Sequence, residues 1–169
     1  MRQFPIVLAG LAVAVGACGA FVAPALTSTR ASSAQPERVE LAAGLPAFAA
    51  GYRLSLTRAV IPPGAAFPPH RHPGMQVAFI QTGTLRFTVF RGAVKVFRGP
   101  ADGSQKLVRT ITPGHPGSIA EGEWIVESPN LRHQGANRGR TQVVILLATL
   151  LRADQPAAIP IMPPPRVAG

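Results

Sequence analysis

Apolar and polar residues alternate along most of the chain in short runs, the pattern that half-buried β-strands produce. The pattern predicts strands at 52–58, 75–81, 84–90, 93–97, 106–111, 124–127 and 131–137. The gaps that contain Gly83 and Gly92 are of hairpin size. We therefore expect neighbouring strands to pair in antiparallel fashion.

The longest apolar run of this part of the chain, 141–151, is bounded by Arg140 and Arg152. Its length and its β-branched residues favour a buried strand, while its periodicity alone also allows a helix. Eight or so short strands at this spacing predict an all-β antiparallel sandwich or barrel. Beyond Arg152 the prolines predict an extended tail over 152–169, either disordered or laid along the barrel surface.

The first 34 residues have the layout of an export signal, because Arg2 is followed by a long uncharged apolar stretch and then by a polar passage. Three outcomes remain open: lipidation of Cys18 in the lipobox-like segment 15–18, cleavage near 23–25 or 32–34, and retention of the stretch 4–26 as a membrane anchor. Each outcome places the folded part outside the cytoplasm, secreted or attached to a membrane.

Composition and charge narrow the class of protein. A chain of 169 residues that is 47% hydrophobic can form one domain with a sizeable core. Because Cys18 is the only cysteine, no disulfide can form within the folded part. The net charge of +10 comes mainly from 15 arginines that are scattered along the chain. Since they lack the dense runs and aromatic interleaving of nucleic-acid-binding proteins, we expect no nucleic-acid partner.

Three histidines carry the candidate chemistry. His70 and His72 are two residues apart, so in an extended segment both rings leave one face and can converge on an ion. A third donor must come from a distant strand, and His133 is suitably placed after a Pro-Asn turn. His115 lies in a glycine-proline turn and is expected at the surface or beside the site. Such donors suit Fe, Ni, Cu and Zn, and Mn tolerates them.

The spacing around these histidines resembles the two motifs of the cupin superfamily. The motifs read Gly64-x5-His70-x-His72-x3-Gln76-x6-Gly83 and Gly122-x10-His133-x3-Asn137. The resemblance covers roughly 51–151 and implies a small double-stranded β-barrel of two packed antiparallel sheets, the cupin or jelly-roll type. Residues 35–50 would then be a linker or a first edge segment.

The resemblance further implies one divalent transition metal (Fe, Mn, Ni, Cu or Zn) inside the barrel, held by His70, His72, position 76 and His133. Gln76 stands where the family has a glutamate, and its neutral amide oxygen is a weaker donor than a carboxylate. Either Gln76 binds the ion, or it turns away and leaves three histidines with open positions. Asn137 is expected to hydrogen-bond either nearby backbone or a partner of the ligands, and His115 is the other candidate for a position next to them.

Open coordination positions favour a metal-dependent enzyme acting on a small organic molecule, by dioxygenase-like or other Lewis-acid chemistry. The alternative is a non-enzymatic module at the cell surface that binds a small molecule or a metal. Glu127 is the one candidate acid or base, although the alternation of Glu121, Glu123 and Glu127 is typical of a solvated strand face. Cupins often pair, so the resemblance also implies a homodimer.

Overall fold

A computed structural model describes residues 34–162 of the chain. The predicted leader, with Cys18, lies outside the described residues except for Ala34, and so do the last residues of the tail, 163–169. Within the described range no helix is long and apolar enough to cross a membrane.

The described chain is built from strands, turns and irregular segments. The strands are β1 (Glu37–Gly44), β2 (Tyr52–Ile61), β3 (His70–Arg71), β4 (Gly74–Thr82), β5 (Thr84–Arg91), β6 (Val94–Arg98), β7 (Lys106–Ile111), β8 (Gly117–Ala120), β9 (Glu123–Glu127), β10 (Arg132–Ala136), β11 (Val143–Arg152) and β12 (Ile159–Pro160). Their pairings between neighbours are antiparallel throughout. The predicted all-β antiparallel fold is therefore confirmed.

The strands form two sheets. One has seven strands in the order β1-β2-β11-β4-β9-β6-β7, and the other has five in the order β12-β3-β10-β5-β8. The apolar run 141–151 is a strand, since β11 lies inside the first sheet and pairs with both β2 and β4. The run is continuously apolar because its outward-facing residues, among them the half-buried Leu146 and Leu150, are apolar as well as its buried ones.

Alternation along the strands places the core between the sheets. In β4 the residues Gln76, Ala78 and Ile80 are buried, while the residues between them are exposed. The buried residues of β5, among them Phe87, belong to the same hydrophobic cluster as those of β4 and β11. The turn between β4 and β5 needs a glycine, because Gly83 has φ 81° and a Cβ there would lie 2.8 Å from the carbonyl oxygen of Gln142.

Four strands were not predicted from the apolar pattern: β1, β3, β8 and β12. The shortest two, β3 and β12, pair with each other through Ile159 opposite Arg71 and Pro160 opposite His70. Two-residue strands in proline-rich segments cannot show a period of two, so alternation could not reveal them. Through β12, the tail therefore forms the edge of the five-stranded sheet, next to the strand that carries His70.

Candidate metal centre

Strand pairing brings the three predicted histidines together. His133 of β10 is directly opposite His70 of β3, and His72 follows β3 by one residue. The ring centroids of His70 and His133 are 4.4 Å apart. All three side chains are buried, and one potential ligand nitrogen from each lies within 4.8 Å of the others. The three histidines could therefore hold a metal ion.

Two backbone carbonyls orient the imidazoles of the first motif. Nδ1 of His70 lies 2.7 Å from the carbonyl oxygen of Pro68, and Nδ1 of His72 lies 2.6 Å from that of Ala157. A carbonyl oxygen only accepts, so each Nδ1 donates a hydrogen and leaves a lone pair on Nε2. Nε2 of His72 is buried and has no hydrogen-bond partner among the described residues. A buried lone pair of this kind fits a metal ion.

The electrostatics of the site favour neutral imidazole at His70. Burial, together with the nearby charge of His133, lowers the pKa of His70 to about 4. Desolvation acts in this direction because it disfavours the charged form of a histidine. At neutral pH the ring of His70 is therefore uncharged and available as a donor.

Glu127 is the residue whose place the sequence did not reveal. It is 3% exposed, so the expectation of a solvated face is wrong for Glu127, and it is wrong for Glu123, which is 1% exposed. Both lie two residues from the buried Ile125 in β9, so their side chains leave the same face of the strand. This spacing was the feature of the sequence that could have indicated their burial. Glu123 is stabilised at the other end of the strand by Arg109, whose Nη1 donates to its Oε2 at 2.7 Å.

The carboxylate of Glu127 lies among the histidines. Its Oε2 is 3.2 Å from Nε2 of His72 and 3.1 Å from Nε2 of His133. Burial alone would raise the pKa of Glu127, but the neighbouring His133 and His72 hold that pKa well below its usual value. Gln76, opposite Glu127 in the sheet, faces inward and donates from Nε2 to the same Oε2 at 2.8 Å. Gln76 thus directs its amide nitrogen to this carboxylate.

The two candidates for a position next to the ligands, Asn137 and His115, lie in different surroundings. Asn137 is fully buried, and its side chain bonds backbone only: Nδ2 donates to the carbonyl oxygens of Ile61 and Thr141, and Oδ1 accepts from the N–H of Gly139. It therefore ties the end of β2 to the loop after β10. His115 is exposed in the turn between β7 and β8, and the three-histidine cluster does not include it.

A small inner cavity beside the histidines and a larger groove share three lining residues. The inner cavity, about 30 Å³, is lined by His70, Gln76, Phe87, Glu127, His133 and neighbouring apolar residues, and also by Arg38. A groove of about 310 Å³ shares Arg38, Gln76 and Leu147 with it. The guanidinium of Arg38 lies 4.3 Å from the centre of the Phe67 ring. Within residues 34–162 Arg38 forms no ion pair.

The sequence matches no protein-family model, and it matches no curated protein. Solved structures similar to this chain include a cupin 2 domain-containing protein from Halorhodospira halophila, with 13% identity, a TM-score of 0.49, and 80% of this chain and 76% of that chain covered. A cupin superfamily protein from Desulfitobacterium hafniense has 14% identity and a TM-score of 0.44, over 69% and 78% of the two chains. The DMSP lyase DddQ from Ruegeria pomeroyi has 19% identity and a TM-score of 0.44, over 67% of this chain and 45% of the lyase.

The architecture and the position of both motifs agree with the resemblance that the sequence showed. The first motif supplies His70 and His72, the second supplies His133, and the cavity beside them is lined from both antiparallel sheets. This is the arrangement that the resemblance of the sequence implied. The described chain therefore has the two-sheet antiparallel fold that the cupin resemblance of the sequence implied, and three buried histidines in it could hold a metal ion.

Proposed function

We propose that this chain is an exported, metal-dependent enzyme that acts on a small organic molecule. His70, His72 and His133 would hold a divalent transition metal, one of Fe, Mn, Ni, Cu and Zn. The observation that carries the proposal is the convergence of three buried imidazoles within 4.8 Å, with Nε2 of His72 left without a hydrogen-bond partner. Such a donor set suits these metals. A bound ion would supply Lewis-acid or dioxygen chemistry.

The residues at the mouth favour a small organic anion as substrate. Arg38 lines both the groove and the inner cavity, and within residues 34–162 its charge has no carboxylate partner at ion-pair distance. A fixed positive charge in a confined entrance raises the local concentration of anions. Apolar side chains, Phe87 and Leu147 among them, also line the inner cavity. We therefore place a substrate's anionic group near Arg38.

The second candidate function is a non-enzymatic module that binds a metal or a small molecule. The size of the inner cavity favours it, because about 30 Å³ holds one or two water-sized molecules. A substrate of several heavy atoms would have to remain in the groove, at the level of Gln76 and Arg38. The two functions share the metal site and differ in turnover.

Metal content tests the proposal directly. Protein purified from cells that express the full chain should contain about one equivalent of metal, or take it up on incubation with one of the five ions. His133→Ala should lose the metal, whereas His115→Ala, the same change at an exposed histidine, should keep it. A wild-type protein that binds none of the five ions would contradict the proposal.

Oxygen consumption by the metal-loaded protein then separates enzyme from binding module. We would screen small organic acids first, followed by phenols, diketones and flavonoids. Turnover with any of them, lost in His133→Ala, supports the enzyme. Binding without turnover across the panel supports the second candidate function.

A further inference from the structure

We infer that Glu127 is a fourth ligand of the metal site, supplying from β9 the carboxylate that the first motif lacks at position 76. The inference rests on the proposed function, since it assumes that the three histidines bind an ion. It assigns to this chain a donor set of three imidazoles and one carboxylate, in which the acidic residue comes from a different strand.

The carboxylate of Glu127 lies at ligand-to-ligand distance from two of the three histidines. Metal–nitrogen and metal–oxygen bonds of these ions measure roughly 2.0–2.2 Å, so two ligands at right angles are about 3.0 Å apart and two at the tetrahedral angle about 3.4 Å. The Oε2 atom of Glu127 is 3.1 Å from Nε2 of His133 and 3.2 Å from Nε2 of His72. Both separations fall between these values.

The His72 nitrogen nearest to Glu127 is an acceptor. Nδ1 of His72 donates to the carbonyl oxygen of Ala157, so Nε2 carries a lone pair, and Oε2 of Glu127 lies 3.2 Å from Nε2. Two acceptors cannot form a hydrogen bond with each other, and Nε2 of His72 has no hydrogen-bond partner among the described residues. A metal ion between the two atoms would give each lone pair a partner.

The register of the sheet explains how one position can substitute for the other. Gln76 of β4 and Glu127 of β9 are directly opposite each other. Side chains at opposite positions of an antiparallel pair have Cβ atoms about 4.5–5.5 Å apart, so a carboxylate on either residue reaches the same region. The amide of Gln76 donates to Oε2 of Glu127 at 2.8 Å. A glutamate at position 76 would instead place two carboxylates against each other.

The charge of Glu127 also requires a compensating cation. The side chain is 4% exposed, and within the described residues the positively charged partners within 4.0 Å are the two histidines, which are charged only if protonated. A buried carboxylate is expensive unless it is paired or bound to a metal. Wherever these two imidazoles are unprotonated, a divalent ion between the three groups would compensate the charge of the carboxylate and bind both ring nitrogens.

Variants at the two facing positions test the inference. We would measure the affinity of purified protein for Zn²⁺ by competition with a chromophoric chelator, and the visible spectrum of bound Co²⁺. Glu127→Gln should weaken Zn²⁺ binding at least tenfold, since even groups that only support a ligand contribute about 10–100-fold. The double variant Q76E/E127Q should return to within about tenfold of the wild type, because it restores one carboxylate. The matched control is Glu121→Gln, the same change at an exposed glutamate.

Each outcome separates the inference from the proposed function. Unchanged affinity in Glu127→Gln overturns the inference and leaves a three-histidine site, whereas a wild type that binds no metal overturns both. Affinity that stays low in Q76E/E127Q also overturns it, because the restored carboxylate would then have no effect. If Glu127→Gln does not fold, Glu127→Asp replaces it in both measurements, because this variant keeps the charge and shortens the side chain. A Co²⁺ spectrum of the Glu127 variant that differs from that of the wild type supports ligation by Glu127, and an identical spectrum overturns the inference.

Discussion

Two of the three histidines are prepared as metal donors by their own surroundings. The carbonyl oxygens of Pro68 and Ala157 fix the ring nitrogen that carries the hydrogen in His70 and His72. The ring of His133 is held differently, by stacking on Phe87 with centroids 4.9 Å apart and 14° between the planes. The lone pairs are thus oriented by the fold before any ion arrives, which reduces the entropic cost of binding.

The low pKa of His70 predicts that the metal-free protein loses stability as the pH falls from about 6.5 to about 4. In that window the unfolded chain binds a proton at His70 and the folded chain does not, so the free energy of unfolding decreases with falling pH. The contribution of this residue is about 1.4 kcal/mol per pH unit. Urea unfolding in the presence of a chelator at several pH values measures it.

Two variants isolate the contribution of His70. His70→Asn should show a shallower dependence of unfolding free energy on pH over the same window. His115→Asn, which replaces an exposed histidine, should keep the wild-type slope. Equal slopes in His70→Asn and the wild type would show that burial of this imidazole is not what makes the protein acid-sensitive.

At the scale of elements, the site depends on the short pairing between β3 and β12. The tail continues from β11, and the carbonyl oxygen of Ala157 accepts the hydrogen of His72 just before β12 pairs with β3. The N–H of Ile161 then donates to the carbonyl oxygen of Pro69 at 3.0 Å. The proline-rich tail is therefore part of the support of the histidines, on the strand that carries His70.

Removal of the tail from residue 156 onward should weaken Zn²⁺ binding by about 10–100-fold, the usual effect of losing the group that orients a ligating histidine. The two-residue strand β12 lies at the edge of its sheet, so we expect the core to remain folded. Zn²⁺ competition and thermal unfolding of the same samples measure both effects. A truncation after Met162 is the control, and equal affinities of the two truncated proteins would contradict the prediction.

The elements differ in how far the sequence could predict them. Strands with regular alternation, such as β5 and β6, were predicted to within a few residues, because one face of each packs on the core. The spacing of two motifs likewise predicted which histidines would meet. The burial of Glu127 was missed because a glutamate on a strand is normally solvated, and this burial depends on groups from other strands. Pairing between distant short segments, as in β3 and β12, leaves no local pattern.

At the scale of the whole molecule, the outer face of the seven-stranded sheet is unusually apolar. Six of its side chains are each between 38% and 51% exposed: Leu54, Leu56, Met75, Val77, Phe79 and Val126. The register makes the surface continuous, because Leu56, Ala148, Val77 and Val126 are opposite one another on successive strands. Monomeric proteins rarely expose large contiguous apolar patches, so such a face typically marks an interaction surface.

We expect this face to form the interface of a homodimer, in line with the pairing that the cupin resemblance implies. Val77→Glu should produce a monomer, weakening association at least about 100-fold because twofold symmetry buries two like charges together. Its metal content should not change, since its neighbours Gln76 and Ala78 face the opposite side of the sheet. Thr84→Glu, at an exposed position of the other sheet, is the control and should remain dimeric. Sedimentation velocity decides the matter: a monomeric wild type, or a Val77→Glu variant that stays dimeric, would exclude this face as the interface.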